Sequence, residues 1–448
     1  MNRETVLTIA GSDPCGGAGI QADLKTLAAC GVHGVSAITA ITAQNTSGVQ
    51  QVFPLPAEQV AAQIDAVAGD LKIAAAKTGI LCQAAIVRVV CQKAVQYRLE
   101  KLVVDPVLWS GSGHPFLQGE DLRVFQAELV PRAYLLTPNL TEAEALTGLR
   151  GIQDTRGMKE AAVKLHGLGA RNVLLKGGHL PGEPLDLLYD GLAFTEYREE
   201  RRPGLAHGTG CTLAAAIAAG LARGLDLQAA VGKAKAYLTA LLDHPLKVGQ
   251  GQLLLDPLFP LRREAERYAL LQETNRALER LKQEKIGRLI PEVQSNLGVA
   301  LTGAEGAEDV LAVPGRIIGL GEEIHWIRPP AFGASRHVAK IILTVLRHDP
   351  ARRAAMNLRY SPEILEACRR LQLRIGSFDR SDEPAEVMSR EGASLEWGTE
   401  EAIRRFGGVP DIIHDGGGIG KEAMIRVLGN DAEDLANRVI AIHRELTS

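Results

Sequence analysis

The chain has 448 residues, 46% of them hydrophobic and 4% aromatic, and a formal charge of −3, the balance of a globular protein of two or three domains. So small a net charge gives no argument for a nucleic-acid or membrane partner, and no apolar run is long enough to span a bilayer. Six cysteines, at 15, 30, 82, 91, 211 and 368, show neither zinc-ligand spacing nor a disulfide framework, which points to a reducing cytoplasm. The first residues have no signal-peptide apolar core.

Val6–Ala10 reads as a buried strand entering the glycine-rich loop Gly11–Gly19, with a helix over Ile20–Cys30. The glycine spacing fits neither a dinucleotide fingerprint nor a P-loop, which leaves a ligand cradle or a plain connection. Strands follow at Gly34–Ala43, Ala74–Gly79, Leu102–Pro106, Ala133–Leu136 and Asn172–Lys176. Helices fall over Pro56–Leu71, Ala84–Tyr97, Thr155–Leu168 and Leu227–Leu242. Asp186–Tyr189 and Ala193–Arg198 form a hairpin around Asp190-Gly191. Alternating strands and helices imply an α/β/α three-layer domain with a mostly parallel sheet. Gly11, Gln44, Asp105, Asn139 and Lys176 then all fall at strand C-termini, the edge where such folds bind ligands.

His207-Gly208-Thr209-Gly210-Cys211-Thr212 runs into an alanine-rich helix. The first amides of a helix lack intrahelical partners and carry partial positive charge, so the turn is either an anion hole or only a turn. Cys211 there reads as a thiol of depressed pKa, or as a small buried hydrophobe.

Asp256-Pro257 through Pro260 breaks the pattern, and Arg262–Lys285 reads as one long helix. The expected division is therefore 1–258, a linker helix over 259–285, and a smaller α/β domain over 286–448. In that domain Leu289–Ala300 holds a turn and a strand, Ser335-Arg336-His337 opens a helix, and Pro362–Leu371 and Thr399–Phe406 are helical. Pro410–Glu422 reads as strand, glycine-rich loop and helix start, a near P-loop in which Lys421 suits phosphate. Arg347, His348, Arg352 and Arg353 read as a solvated basic face.

The strings GSDPCGGAGIQADLKT, AQNTSGV, VVDPV, TPNLTEAE, VLLKGGH and HGTGCTLAAAIAA, in that order, resemble hydroxymethylpyrimidine/phosphomethylpyrimidine kinases of the ribokinase-like superfamily, over about residues 1–255. The resemblance implies two phosphoryl transfers from ATP, with Mg²⁺, to 4-amino-5-hydroxymethyl-2-methylpyrimidine. It makes Cys211 the base and places the moving phosphoryl on Gly208, Thr209 and Gly210, with Lys176 and Asn139 at the phosphates. Asp105 and Glu142 would serve the metal, and Asp23 and Gln44 the pyrimidine.

The strings IPEVQSN, VPGR, FGASRHVAK, AMNLRYS and DGGGIGKE resemble the ThiN-type thiamine-phosphate synthase domain over about residues 270–448. That resemblance implies condensation of the pyrimidine diphosphate with a thiazole phosphate, Arg316 and His337 being catalytic. Asn357, Asp415 and Lys421 are further ligand candidates. The expected partners are these small molecules, without nucleic acid or membrane, in a homo-oligomer. The competing reading is a pyridoxal-type kinase carrying a thiamine-phosphate-sensing regulatory domain.

Overall fold

The structure is a computed structural model and describes residues 3–111, 113–178, 180–181, 183–202, 206–388, 393–418 and 420–447. His179 of the VLLKGGH string lies outside them. The chain forms two compact units, Met1–Leu261 and Arg262–Ser448.

The first unit is built on β1 (Thr5–Ser12), β2 (His33–Asn45), β3 (Gly48–Pro54), β4 (Ile73–Thr78), β5 (Leu102–Val104), β6 (Leu135–Leu136), β7 (Val173–Gly177), β8 (Leu185–Tyr189) and β9 (Phe194–Arg198). Their order in the sheet is β3-β2-β1-β4-β5-β6-β7-β8-β9. From β2 to β7 every pairing is parallel, while β3 at one edge and β8–β9 at the other run antiparallel. The expected mostly parallel sheet is therefore present. A parallel sheet is covered on both faces, which is why β1 is buried from Thr5 to Gly11 and shows no alternation. Leu7 and Ile9 pack in one core with Val60, Ile64 and Val87 of the helices Ala57–Asp70 and Ala84–Gln96. Val6 packs in the other with the helix Thr209–Ala222. That helix is buried from Thr212 to Ala222, and its alanines let it lie close against the sheet. A short parallel pair, β10 (Ala206–His207) and β11 (Leu253–Leu254), lies just before the helix.

The second unit has β12 (Leu297–Ala300), β13 (Val310–Ala312), β14 (Ile318–Leu320), β15 (Glu323–His325), β16 (Ala331–Phe332), β17 (Ala354–Arg359), β18 (Ile375–Ser377), β19 (Ile412–Asp415) and β20 (Met424–Gly429). The order β16-β13-β12-β17-β20-β19-β18 makes one sheet, and β14–β15 is a separate hairpin. Only β18–β19 is parallel. Alternate residues feed two cores: Met356, Ile425 and Ile412 face one, Ala355, Leu428 and Ile413 the other. The long helix, Phe259–Gln283, packs on the second unit, whose core includes its Leu270, Ala277, Leu278 and Leu281. The sequence reading needs one correction here. No helix starts at Lys421, because the chain turns back into β20, whose aliphatic run pairs with β17 from Met424 to Gly429.

Candidate active sites

At the carboxyl edge of the first sheet, Lys176 of β7 places its Nζ 2.8 Å from Oδ1 of Asp105, the residue after β5. Thr137 donates its hydroxyl to the same Oδ1 at 3.1 Å. Burial works against the lysine's charge, but Asp105 and Glu142 more than restore it and its pKa lies above the usual value. The glycine turn sits directly over this pair: a β-carbon on Gly210 would be 3.3 Å from both Asp105 Oδ2 and Lys176 Nζ. Gly208 has φ +86°, and a β-carbon there would overlap the carbonyl oxygen of Gly17. Only glycine fits where the two glycine-rich loops cross. Gly208, Thr209, Gly210, Cys211, Lys176 and Asp105 are thus brought together.

Cys211 departs from expectation. Burial pushes its thiol up to about 11; Lys77 opposes the rise, Asp23 and Asp105 add to it, and the Gly19 amide favours the thiolate. Desolvation outweighs the helix dipole here.

Asn139 and Glu142 form a capping box at the head of the helix Leu140–Thr147: Asn139 Oδ1 accepts from the Glu142 amide at 2.8 Å, and Glu142 Oε2 accepts from the Asn139 amide at 2.8 Å. A local structural role therefore occupies both residues. Glu142 is 5% exposed. Burial raises its pKa to about 7, with Lys176 lowering and Asp105 raising it.

Asp23 is committed to an internal ion pair. It is fully buried, its carboxylate accepting from Thr8 Oγ1 at 2.6 Å and from Lys77 Nζ at 2.9 and 3.1 Å. Lys77, missed in the sequence, supplies the counter-charge that a buried carboxylate requires. Gln44 does line a small pocket, with Asn45, Ser110, His207 and Gln252. Its Nε2 is 3.5 Å from His207 Nε2, which in turn is 3.5 Å from Asp13 Oδ2. Asp13 accepts from the amides of Cys15, Gly17 and Ala18 and so shapes the first glycine loop.

In the second unit a cleft of about 470 Å³ is lined by Arg316, Arg336, His337, Asn357, Lys421 and Met424, among others. Arg316 and His337 share it, and both are exposed. Arg316 is braced on the Val293 carbonyl. Asn357 cross-links the floor: its Oδ1 accepts from the Asn296 amide and its Nδ2 donates to the Gln294 carbonyl. Its polar atoms are spent on the fold. Lys421 is 3.2 Å from Glu383 and 2.9 Å from Ser394. Asp415 is buried beneath the cleft and ion-paired with Arg380 and Arg426. It faces guanidinium groups, which rules it out as an open ligand. The sequence reading passed over both arginines.

A mostly parallel sheet with an uncapped helix start, a buried lysine and carboxylates at its carboxyl edge defines a ribokinase-like small-molecule kinase, here followed by a second α/β unit with a cationic cleft. Residues 13–256 match the phosphomethylpyrimidine kinase family, and residues 273–441 the family of the thiamine-phosphate synthase ThiN. The chain is 34% identical over 441 residues to the bifunctional thiamine biosynthesis protein ThiDN of Methanocaldococcus jannaschii, covering 98% of both. It is 47% identical over 251 residues to the thiamine biosynthesis bifunctional protein ThiED of Geobacter sulfurreducens, 56% of this chain and 51% of that relative, so it spans about half of that relative's length. Among solved structures, an ADP complex of Bacillus subtilis pyridoxal kinase aligns with a TM-score of 0.54 at 34% identity, over 58% of this chain and 99% of its own. The chain belongs to the phosphomethylpyrimidine kinase family, in the bifunctional form that carries a ThiN-type thiamine-phosphate synthase behind the kinase.

Proposed function

We propose that the first unit phosphorylates 4-amino-5-hydroxymethyl-2-methylpyrimidine twice from ATP, and that the second joins the resulting diphosphate to a thiazole phosphate, giving thiamine phosphate and pyrophosphate. The observation that carries the kinase reading is Gly210 lying over the Lys176–Asp105 pair at an open helix start. Phosphoryl transfer is chiefly positioning and charge neutralisation. The amides of Thr209, Gly210 and Cys211 hold the moving phosphoryl, and Lys176 neutralises its oxygens. The hydroxyl oxygen attacks the terminal phosphorus as its bond to the leaving phosphate breaks, and the Cys211 sulfur takes the hydroxyl proton. Gln44 reads the pyrimidine. Asp23 stays beneath with Lys77 as support.

The donor set fits Mg²⁺. Asp105 and Glu142 offer hard oxygens, and a buried glutamate with a pKa near 7 is short of positive charge. Mg²⁺ supplies neutralisation of the phosphate charge; Asp105 and Glu142 would hold it, with Asn139 fixing the glutamate.

In the second unit the shared cleft of Arg316 and His337 carries the reading. The bond from the pyrimidine methylene to the diphosphate oxygen breaks, and the thiazole nitrogen bonds to that carbon. Arg316 and His337 stabilise the departing pyrophosphate.

We divide the chain into a kinase over 1–258, a joining helix over 259–285 and a synthase over 286–448. Tethering places the product of one site near the next. The assembly proposed is a cytoplasmic homo-oligomer. All six cysteines are free, and the register partners Ile41 and Phe53 on β2 and β3 are each about half exposed. Among the described residues no helix is long and apolar enough to cross a membrane.

The test is thiamine phosphate formation by the purified chain from the pyrimidine alcohol, ATP, Mg²⁺ and thiazole phosphate. Phosphorylated pyrimidine without thiamine phosphate would leave the second unit a sensor. Likeness to a solved pyridoxal kinase favours pyridoxal as a second kinase substrate, and kinetics on both alcohols rank the two.

A further inference from the structure

Three metal-ligating side chains meet beside the kinase site and take no part in the chemistry above. A ligand atom from each of Asp13, Cys15 and His207 lies within 4.8 Å of the other two. Asp13 and Cys15 belong to the first glycine-rich loop, and His207 closes β10 just before Gly208. Among the described residues no other three histidine, cysteine or carboxylate donors gather so closely.

Their spacing is that of a coordination shell. Cys15 Sγ is 3.5 Å from Asp13 Oδ2, and His207 Nε2 is 3.5 Å from the same oxygen. The second distance is too long for a strong hydrogen bond. Zinc bonds of about 2.0–2.3 Å to oxygen, nitrogen and sulfur, arranged as a tetrahedron, have edges of about 3.4–3.6 Å.

The ligands are also held in place. Asp13 is 2% exposed. Its Oδ1 accepts from the Cys15 amide at 2.9 Å, and its Oδ2 from the Gly17 and Ala18 amides at 3.0 and 2.7 Å, the outer support that ligating carboxylates carry. Burial alone would raise its pKa, but bonds from His207, Cys15, Gln44 and the Ala18 amide hold the carboxyl well below its ordinary range. The imidazole packs against the loop: a β-carbon on Gly17 would be 3.0 Å from His207 Cδ2. Cys15 and His207 are partly exposed, which gives an ion a way in. A cavity of about 20 Å³ lined by Gln44, Ser110 and His207 has room for one water as the fourth ligand.

We propose that Asp13, Cys15 and His207 form a site for a divalent metal ion of the zinc class, and that filling it restrains the kinase. One sulfur, one imidazole nitrogen and one carboxylate oxygen suit zinc and its neighbours, whereas magnesium takes oxygen ligands. The site shares no residue with the Asp105 and Glu142 assigned to Mg²⁺. On binding, the Cys15 thiol gives its proton to solvent and His207 carries its proton on Nδ1, so a thiolate and the Nε2 lone pair face the ion. The ion also takes His207 Nε2 from Gln44, whose Nε2 is 3.5 Å away, and pins the first glycine loop to the strand that leads into Gly208. The restraint rests on the kinase reading above, in which Gln44 reads the pyrimidine; the site does not.

The test is a cobalt(II) titration of the metal-free full chain, followed by kinase kinetics with zinc added over saturating Mg²⁺. One equivalent of cobalt should bring up a sulfur-to-metal charge-transfer band. Cys15→Ser should abolish the band, weaken zinc binding at least about tenfold and keep kinase turnover in the absence of zinc; Cys211→Ala should retain the band. Zinc should raise KM for the pyrimidine alcohol severalfold in the wild type and leave it unchanged in Cys15→Ser. No band in the wild type, or a band that survives Cys15→Ser, overturns the site. A KM that zinc does not move, or moves equally in Cys15→Ser, overturns the restraint. A chain that shows the band but phosphorylates no pyrimidine overturns the kinase reading and leaves the site standing.

Discussion

Lys176 Nζ and Asp105 Oδ1 lie 2.8 Å apart beneath Gly210. The lysine is thus held at the mouth of the helix by a carboxylate that lets it point at an arriving phosphate.

Removing that charge should separate the two activities. Lys176→Gln is expected to lower kinase kcat/KM by about 10²–10³ while thiamine phosphate formation from supplied pyrimidine diphosphate continues at the wild-type rate. Rates of both half-reactions on one preparation check this. A parallel loss of both would mean general unfolding, Asp105 having been left buried without its partner.

Cys211 gives a pH prediction. Burial pushes the thiol up to about 11, so the thiolate fraction rises through neutral and mildly alkaline pH. Kinase kcat/KM should climb with pH beyond 9, as expected of a base whose pKa lies well above the assay range. Cys211→Ala should lose that limb and fall by about 10²–10⁴. A flat profile in the wild type would remove the cysteine from the proton's path.

Much of the first site was legible because strand ends announce themselves. Asp105, Asn139 and Lys176 each follow or close a short apolar run, and the fold brings those ends together. The burial of Asp23 was not read from the sequence although its pattern was available. It stands three residues after Ile20 and four before Leu27, both buried on the same helix, so helical periodicity places it on the core stripe. Its partner Lys77 and the second unit's Arg426 share one signal, a lone cation within an aliphatic strand, which must find a carboxylate or be costly. Asn139 and Glu142 were read as phosphate and metal ligands, whereas the same Asn-x-x-Glu spacing is first of all a helix cap. The basic run at 347–353 was read as solvated, which holds for the exposed Arg347 and His348, while Arg352 is drawn in by Asp411 and Arg353 by Glu266. Those partners lie far along the chain, beyond the reach of local pattern.

His337→Gln tests the second unit's cleft. The residue is exposed at the head of its helix, so the substitution should leave stability within about 0.5 kcal/mol. Thiamine phosphate formation is expected to fall by about 10²-fold or more, with kinase turnover unchanged and pyrimidine diphosphate accumulating in the coupled assay. Arg316→Gln should do the same. Normal condensation in both variants would leave the cleft as a binding surface only. Chromatography of the pyrimidine products gives the readout.

The last prediction concerns acid stability of the second unit. Asp411 is 7% exposed. It accepts from Arg352 Nη2 at 2.7 Å, from Arg374 Nε at 3.0 Å and from Arg438 Nη1 at 2.7 Å. Burial alone would raise its pKa, but the bonds from Arg374 and Arg438 more than reverse this and hold it well below the ordinary carboxylate value. A carboxyl depressed in the folded state binds its proton more readily when unfolded. Its contribution is therefore complete above the unfolded pKa of about 4 and lost progressively as pH falls below it. Asp411→Asn leaves three guanidinium groups facing a neutral amide, which should cost about 3 kcal/mol at pH 7. The gap between wild type and variant should narrow between about pH 4 and pH 2, because only the wild type has the charge to lose. Denaturant unfolding of both proteins across that range measures it. A gap that stays constant with pH would show that the arginine cluster contributes through packing and not through the charge of Asp411.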